Sequence, residues 1–136
     1  MPIEPYLNFD GRCEEAIEFY KKALGAEVVR LMRYKDSPEP APPGHEMAGD
    51  KIMHSTLRIG DSQIMASDGF CGGTTEFKGI SLSLPVPNEA AAERAFKALS
   101  DGGEVELPLT ETFFAKRFAM LTDGFGVRWM IIAGKN

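Results

Sequence analysis

The chain has 136 residues, 43% of them hydrophobic and 26% charged, with a formal net charge of −5. That length suits one domain with a core of its own that needs no disulfide support. Its scattered Lys and Arg give none of the basic footprint that a nucleic-acid groove or an anionic membrane surface requires. The opening residues lack a basic and apolar leader pattern, and no apolar run reaches the length of a membrane span. Cys13 and Cys71 form no metal or redox motif, so the expectation is a cytoplasmic protein with two free thiols, Cys13 half-buried.

Residues 3–9 alternate as a strand does, with Ile3, Pro5, Leu7 and Phe9 on one side and Glu4, Tyr6 and Asn8 on the other. Asp10 is placed to cap a helix whose first turn holds Glu14 and Glu15. Cys13, Ile17, Tyr20 and Leu24, flanked by Ala16 and Phe19, form its apolar stripe, and Gly25 supplies a left-handed stop. A strand over 26–34 follows. The proline-rich segment 36–50 cannot continue a sheet and reads as a mobile surface loop containing His45. Strands over 51–59 and 63–67 turn at Gly60-Asp61-Ser62, and the glycine-rich stretch 69–78 links to the second half.

The second half repeats the order. Ile80, Leu82, Leu84 and Val86 alternate with Ser81, Ser83 and Pro85; Asn88 caps a helix with a stripe of Ala91, Ala95, Phe96 and Leu99; Gly102-Gly103 stops it. A strand over 104–109 precedes a hairpin of 116–122 and 127–133 turning at Asp123-Gly124-Phe125-Gly126. Gly25 to Asp61 spans 36 positions and Gly102 to Asp123 spans 21, and the difference of 15 is the length of the 36–50 segment. The fold class predicted is therefore α+β: two βαβββ modules with curved mixed sheets, about 1–68 and 79–136, within a single domain.

In each module the helix covers one sheet face, so the other is left for chemistry or for a partner. That face is predicted to present Glu4, Tyr6 and Asn8; His54, Thr56 and Arg58; Gln63, Met65 and Ser67; Ser81 and Ser83; Phe118, Met120 and Thr122; Arg128, Met130 and Ile132. Its mixture of apolar walls and a few polar groups matches a small-molecule site better than a dry interface. Trp129 alternates to the helix side, as a core residue would. Arg128 is placed to pair with a ligand carboxylate or phosphonate, or to be a surface arginine.

PYLNFDG, EEAIEFYKKALGAEV, KIMHSTLRIGDSQIMASD, GISLSLPV and LTDGFGVRWMI together resemble PhnB-like proteins of the vicinal-oxygen-chelate superfamily, over nearly the whole chain. That superfamily includes glyoxalases, ring-cleaving dioxygenases and drug- or fosfomycin-resistance proteins. The resemblance implies paired modules forming cups, a dimer, and in metal-dependent members His and Glu ligands on the first, fourth, fifth and eighth strands. Those positions fall on Glu4 or Pro5, Met65, Ser81 or Ser83, and Met130, where thioethers and hydroxyls are poor ligands for a hard or borderline divalent ion.

The reading is a protein without a metal cofactor that binds a small molecule through Tyr6, His54, Met65, Ser81, Ser83, Phe118, Met120, Arg128 and Met130, as a carrier or as a metal-independent enzyme. It is expected to be a homodimer, since a symmetric partner covers exposed sheet edges. One alternative is a metal-dependent isomerase, lyase or dioxygenase using a relocated set of Glu4, His54 and Asp68. Another is a structural dimer with filled cups. Asp68 also reads as a turn residue and His54 as a hydrogen-bonded structural histidine. The glycines of 69–73 lead from strand to strand, so they do not make a phosphate loop, and no G-x-G-x-x-G supports the methyltransferase label that such proteins have carried.

Overall fold

The computed structural model describes residues 3–38, 49–69 and 76–135. His45, Cys71 and most of the two predicted connecting segments lie outside the described residues. The chain divides into two compact units, Met1–Thr75 and Glu76–Asn136. No helix among the described residues is long and apolar enough to cross a membrane.

The first unit runs β1 (Tyr6–Asn8), α1 (Cys13–Leu24), β2 (Glu27–Arg33), a 3-10 turn (Tyr34–Asp36), β3 (Ile52–Ile59) and β4 (Ser62–Ser67). The second runs β5 (Leu82–Val86), α2 (Glu89–Ser100), β6 (Glu104–Thr110), β7 (Ala115–Thr122) and β8 (Arg128–Gly134). The sheet orders are β1-β4-β3-β2 and β5-β8-β7-β6. In each, the first and last strands of the module pair in parallel and the other pairs are antiparallel. This is the predicted βαβββ unit, twice, in open four-stranded sheets.

Alternation decides what the helices cover. Leu7 pairs with Ala66, Ala66 with Ser55, and Ile64 with Leu57, so these residues share one face, and all are buried. Cys13, Ala16, Ile17 and Tyr20 are the buried side of α1, and burying Tyr20 completely is worth about 1.5–3 kcal/mol. Leu24 is only half-buried, at the helix end. Gly25 takes φ 67° and its N–H closes the last turn on the Lys21 carbonyl, as its position predicts. The first strand is shorter than the alternation implies, and Ile3 is 99% exposed, because no strand lies beyond Pro5 to bury it.

The capping of α1 corrects the sequence reading. Asp10 does not cap; it sits in a turn at φ 50°, and Arg12 occupies the N-cap position without a side-chain cap. The acceptor comes instead from the end of β4. One Asp68 oxygen accepts from the Cys13 N–H at 2.8 Å and the other from the Ile52 N–H at 2.7 Å, while the Asp68 N–H donates to the Ile52 carbonyl at 2.9 Å. A buried carboxylate thus joins the helix N-terminus to the start of β3 and the end of β4, where the helix dipole favours a negative charge.

In the second unit the cap is local, as predicted: Asn88 Oδ1 accepts from the Ala91 N–H at 2.9 Å. The buried side of α2 is Ala92, Ala95 and Leu99, so Ala95 and Leu99 are as read in sequence while Ala92 replaces Ala91 and Phe96 is half-buried, the run of alanines from 90 to 92 giving no contrast between faces. Gly103 is required by close approach: a Cβ there would lie 2.1 Å from the Thr122 carbonyl oxygen. Trp129 is buried on the helix side and donates from Nε1 to Asp123, whose other oxygen accepts from the Phe125 and Val127 N–H groups to shape the β7–β8 turn.

Cys13 is fully buried rather than half-buried, and its thiol is pushed up to about 12 from 9.0, first by burial and then by the Asp68 charge, with a Ser55 hydrogen bond opposing. Between those two values the unfolded chain gives up a proton that the folded chain keeps. Stability therefore falls as pH rises from about 9 toward 12, by about 1.4 kcal/mol per unit from this group.

Two outcomes are expected. Asp68→Ala, which strands two buried N–H groups, costs about 2–5 kcal/mol, against about 1 kcal/mol for Asn88→Ala, measured by urea unfolding. In Cys13→Ala the loss of stability between pH 8.5 and pH 10.5 is shallower than in the unaltered protein; equal slopes would refute the buried thiol's role (the pH values are roughly chosen to straddle an ordinary thiol pKa).

Candidate functional site

Because α1 and α2 take one face of each sheet, the opposite faces are open, and the register shows what they carry. In the first unit Tyr6 pairs with Met65, Met65 with Thr56, and Thr56 with Arg30, so these four side chains share a row. His54 pairs with Met32 on the same face. The Tyr6 hydroxyl lies 3.1 Å from His54 Nδ1, and Thr56 Oγ1 lies 3.4 Å from His54 Nε2. Tyr6 reaches diagonally across β4 to do this, its ring 5.7 Å from the imidazole between centroids. Alongside, Ser67 Oγ donates to Asn8 Oδ1 at 2.9 Å. His54, Thr56 and Met65 are half-buried and Tyr6 is 44% exposed, so the phenol is the most accessible part of this group.

The same positions in the second unit carry different chemistry. Ser83 pairs with Met130 and Met130 with Met120, as Tyr6, Met65 and Thr56 do in the first. Phe118 pairs with Ile132 and Arg128 with Thr122 on this face. Ser81 lies just before β5 and is half-buried. Phe118 stacks edge-on with Phe114 at 5.1 Å, and Phe114 with Phe113 at 5.2 Å. One open face is thus polar around a Tyr–His–Thr chain, and the other is mostly sulfur and aromatic carbon.

All nine residues named from sequence as ligand-binding therefore fall on or beside the open faces, Tyr6, His54 and Met65 in one unit and the rest in the other. Sequence reasoning missed Arg30 and Met32. They belong to an edge strand whose register shifts between Val28 and Arg30 and again between Met32 and Arg33, so its facing is not visible in its alternation.

The relocated metal set is not brought together. Asp68 is on the helix side with both oxygens held by backbone N–H groups, away from the row that carries His54. Glu4 is half-buried ahead of β1. Among the described residues no group of three or more His, Cys, Asp or Glu is placed to hold a metal ion. Of the positions to which the resemblance points, Met65 lies beside Tyr6 and Met130 beside Ser83, while Glu4, the one acid among them, stands ahead of β1. The thioethers of Met65 and Met130 and the Ser83 hydroxyl are poor ligands for a divalent zinc, nickel, manganese or iron ion, which leaves Glu4 as the one carboxylate in the set.

Comparison with known proteins agrees with this architecture. The family model described as 3-demethylubiquinone-9 3-methyltransferase matches residues 2–132. The chain is 37% identical to the protein YjdN of Escherichia coli (strain K12), covering 96% of this chain and 94% of that one. It superposes on the crystal structure of protein PA1353 from Pseudomonas aeruginosa with a TM-score of 0.87 and 43% identity, over 100% of this chain and 99% of that one. A PhnB protein from Bacillus cereus gives a TM-score of 0.82 at 26% identity, over 98% and 100%. A glyoxylase/bleomycin resistance protein/dioxygenase domain from Frankia sp. EAN1pec, 15% identical with a TM-score of 0.72 over 99% and 98%, shares the fold.

Replacing Tyr6 by Phe is expected to change the His54 ring nitrogen chemical shifts and tautomer balance in 15N NMR while costing no more than about 1 kcal/mol of stability, since the pair is solvent-exposed. Unchanged His54 resonances would show that the hydrogen bond is not formed in solution.

Proposed function

The chain belongs to the PhnB-like family described as 3-demethylubiquinone-9 3-methyltransferase, within the glyoxalase/bleomycin resistance/dioxygenase superfamily, and from that premise we propose that it binds a small organic molecule on its open sheet faces without a metal ion. The observation that supports the proposal is the residue set on the open faces, where Met65 lies beside Tyr6 and Met130 beside Ser83, thioethers and hydroxyls that are poor ligands for such an ion. Flexible, polarisable methionines suit an adaptable apolar surface. The Tyr6–His54–Thr56 chain supplies a few oriented polar groups, the combination typical of small-molecule sites.

The methyl transfer in the family's description finds no support in the helix termini. A nucleotide-type methyl donor is commonly held where a glycine-rich turn opens a helix with free amides. Here the first amide of α1 is taken by Asp68 and that of Ala91, in the first turn of α2, by Asn88. Any chemistry on the bound molecule would rest on the Tyr6 hydroxyl and the His54 imidazole, the titratable pair in mutual contact on the polar face. We further propose a homodimer, because β2 and β6 are edge strands with exposed Val28, Val29, Leu31 and Val105.

Protein purified without chelator is expected to contain well under about 0.1 equivalent of zinc, nickel, manganese or iron, and its melting curve is expected to be the same with and without chelator. Near-stoichiometric metal in elemental analysis would overturn the proposal. A metabolite screen by thermal shift is expected to find stabilising compounds, a ligand at 100 times its Kd adding about 2.7 kcal/mol. A screen without a single stabiliser would favour a structural dimer instead.

A further inference from the structure

The two modules repeat one another closely enough for a displaced charge to stand out. In the first unit Glu27, Arg58 and Gln63 lie in one row across β2, β3 and β4. The acid and the base occupy adjacent strands and form an ion pair at 2.7 Å. In the second unit the corresponding row across β6, β7 and β8 is Glu104, Thr122 and Arg128. The arginine has moved one strand away from the acid, their backbones about 10 Å apart, and among the described residues the two form no ion pair.

The remaining acid nearby, Glu106, is engaged by the Thr122 hydroxyl. Among the described residues no carboxylate lies within 4 Å of Arg128. The other half-buried arginines, Arg33 and Arg117, are paired with Glu14 at 2.8 Å and Glu89 at 3.5 Å. A half-buried guanidinium without a counter-ion costs free energy that an incoming anion recovers.

We propose that Arg128 receives the carboxylate of an amphiphilic organic monoanion whose apolar body lies along Met130, Met120 and Phe118; this rests on the reading that the open faces bind a small molecule. The register sets the three apolar residues on the arginine's own face, successively farther from it: Met130 two residues along β8, Met120 opposite Met130, Phe118 opposite Ile132. A planar fork of donors matches a carboxylate through two parallel hydrogen bonds. Leu82 pairs with Trp129, so the Ser81 hydroxyl, one residue earlier, is at the level of Arg128 and serves as an additional donor. A single guanidinium carries one positive charge and so matches one carboxylate rather than a dianionic phosphonate.

The test compares 4-phenylbutyrate with its neutral amide, 4-phenylbutyramide, by methyl NMR of methionine-labelled protein, in the unaltered chain and in Arg128→Gln and Arg58→Gln. The expected result is that the carboxylate shifts Met120 and Met130 and binds at least about ten-fold more tightly than the amide. In Arg128→Gln the two probes are expected to become equal, and in Arg58→Gln the preference is expected to remain. A melting curve on each variant confirms that it is folded. Equal binding of acid and amide to the unaltered chain, or a preference that survives Arg128→Gln, would overturn the anion site while leaving small-molecule binding on the open face intact. Neither probe shifting either methionine would overturn both.

Discussion

The carboxylate of Asp68 fixes the geometry from which the first module's open face follows. Its two oxygens accept from the first amide of α1 and the first amide of β3, and its own N–H returns to the Ile52 carbonyl. With the helix tied at that end, Cys13, Ala16, Ile17 and Tyr20 are held against Leu57, Ile64 and Ala66. Once one sheet face is committed to the helix, alternation commits Tyr6, His54, Thr56 and Met65 to the other. A shift of one residue would exchange the two sets and bury hydroxyls and an imidazole without partners.

The duplicated fold leaves its open faces free to diverge. Packing against a helix restricts the inner positions to similar apolar side chains in both modules, whereas outer positions answer to function. Equivalent sites hold Thr56 and Met120, Tyr6 and Ser83, or Gln63 and Arg128. One module therefore offers a hydrogen-bonded polar group, and the other an apolar surface ending in a cation with no ion pair among the described residues. Methionine stands at the equivalent positions 65 and 130 in both.

Most of the fold was legible in the chain itself. Alternation placed the strands to within a few residues, spacings of three and four placed the helices, Gly25 and Asn88 marked their ends, and the repeat emerged once the proline-rich segment was set aside. The outer-facing set was legible for the same reason: on strands bounded by clear turns, a period of two assigns faces. Alternation failed where it had no contrast or no regularity, in the alanine run of α2 and in the bulged edge strand β2.

What the sequence determined by itself was therefore the module plan and the family resemblance, because each depends on local pattern or on residue type. Only the tertiary structure decided that Asp68 caps a helix 55 residues away, that Tyr6 meets His54, and that Arg128 stands apart from the acids of its row. Those facts depend on which strands become neighbours and in what register, and that is set by long-range pairing between segments far apart in the chain.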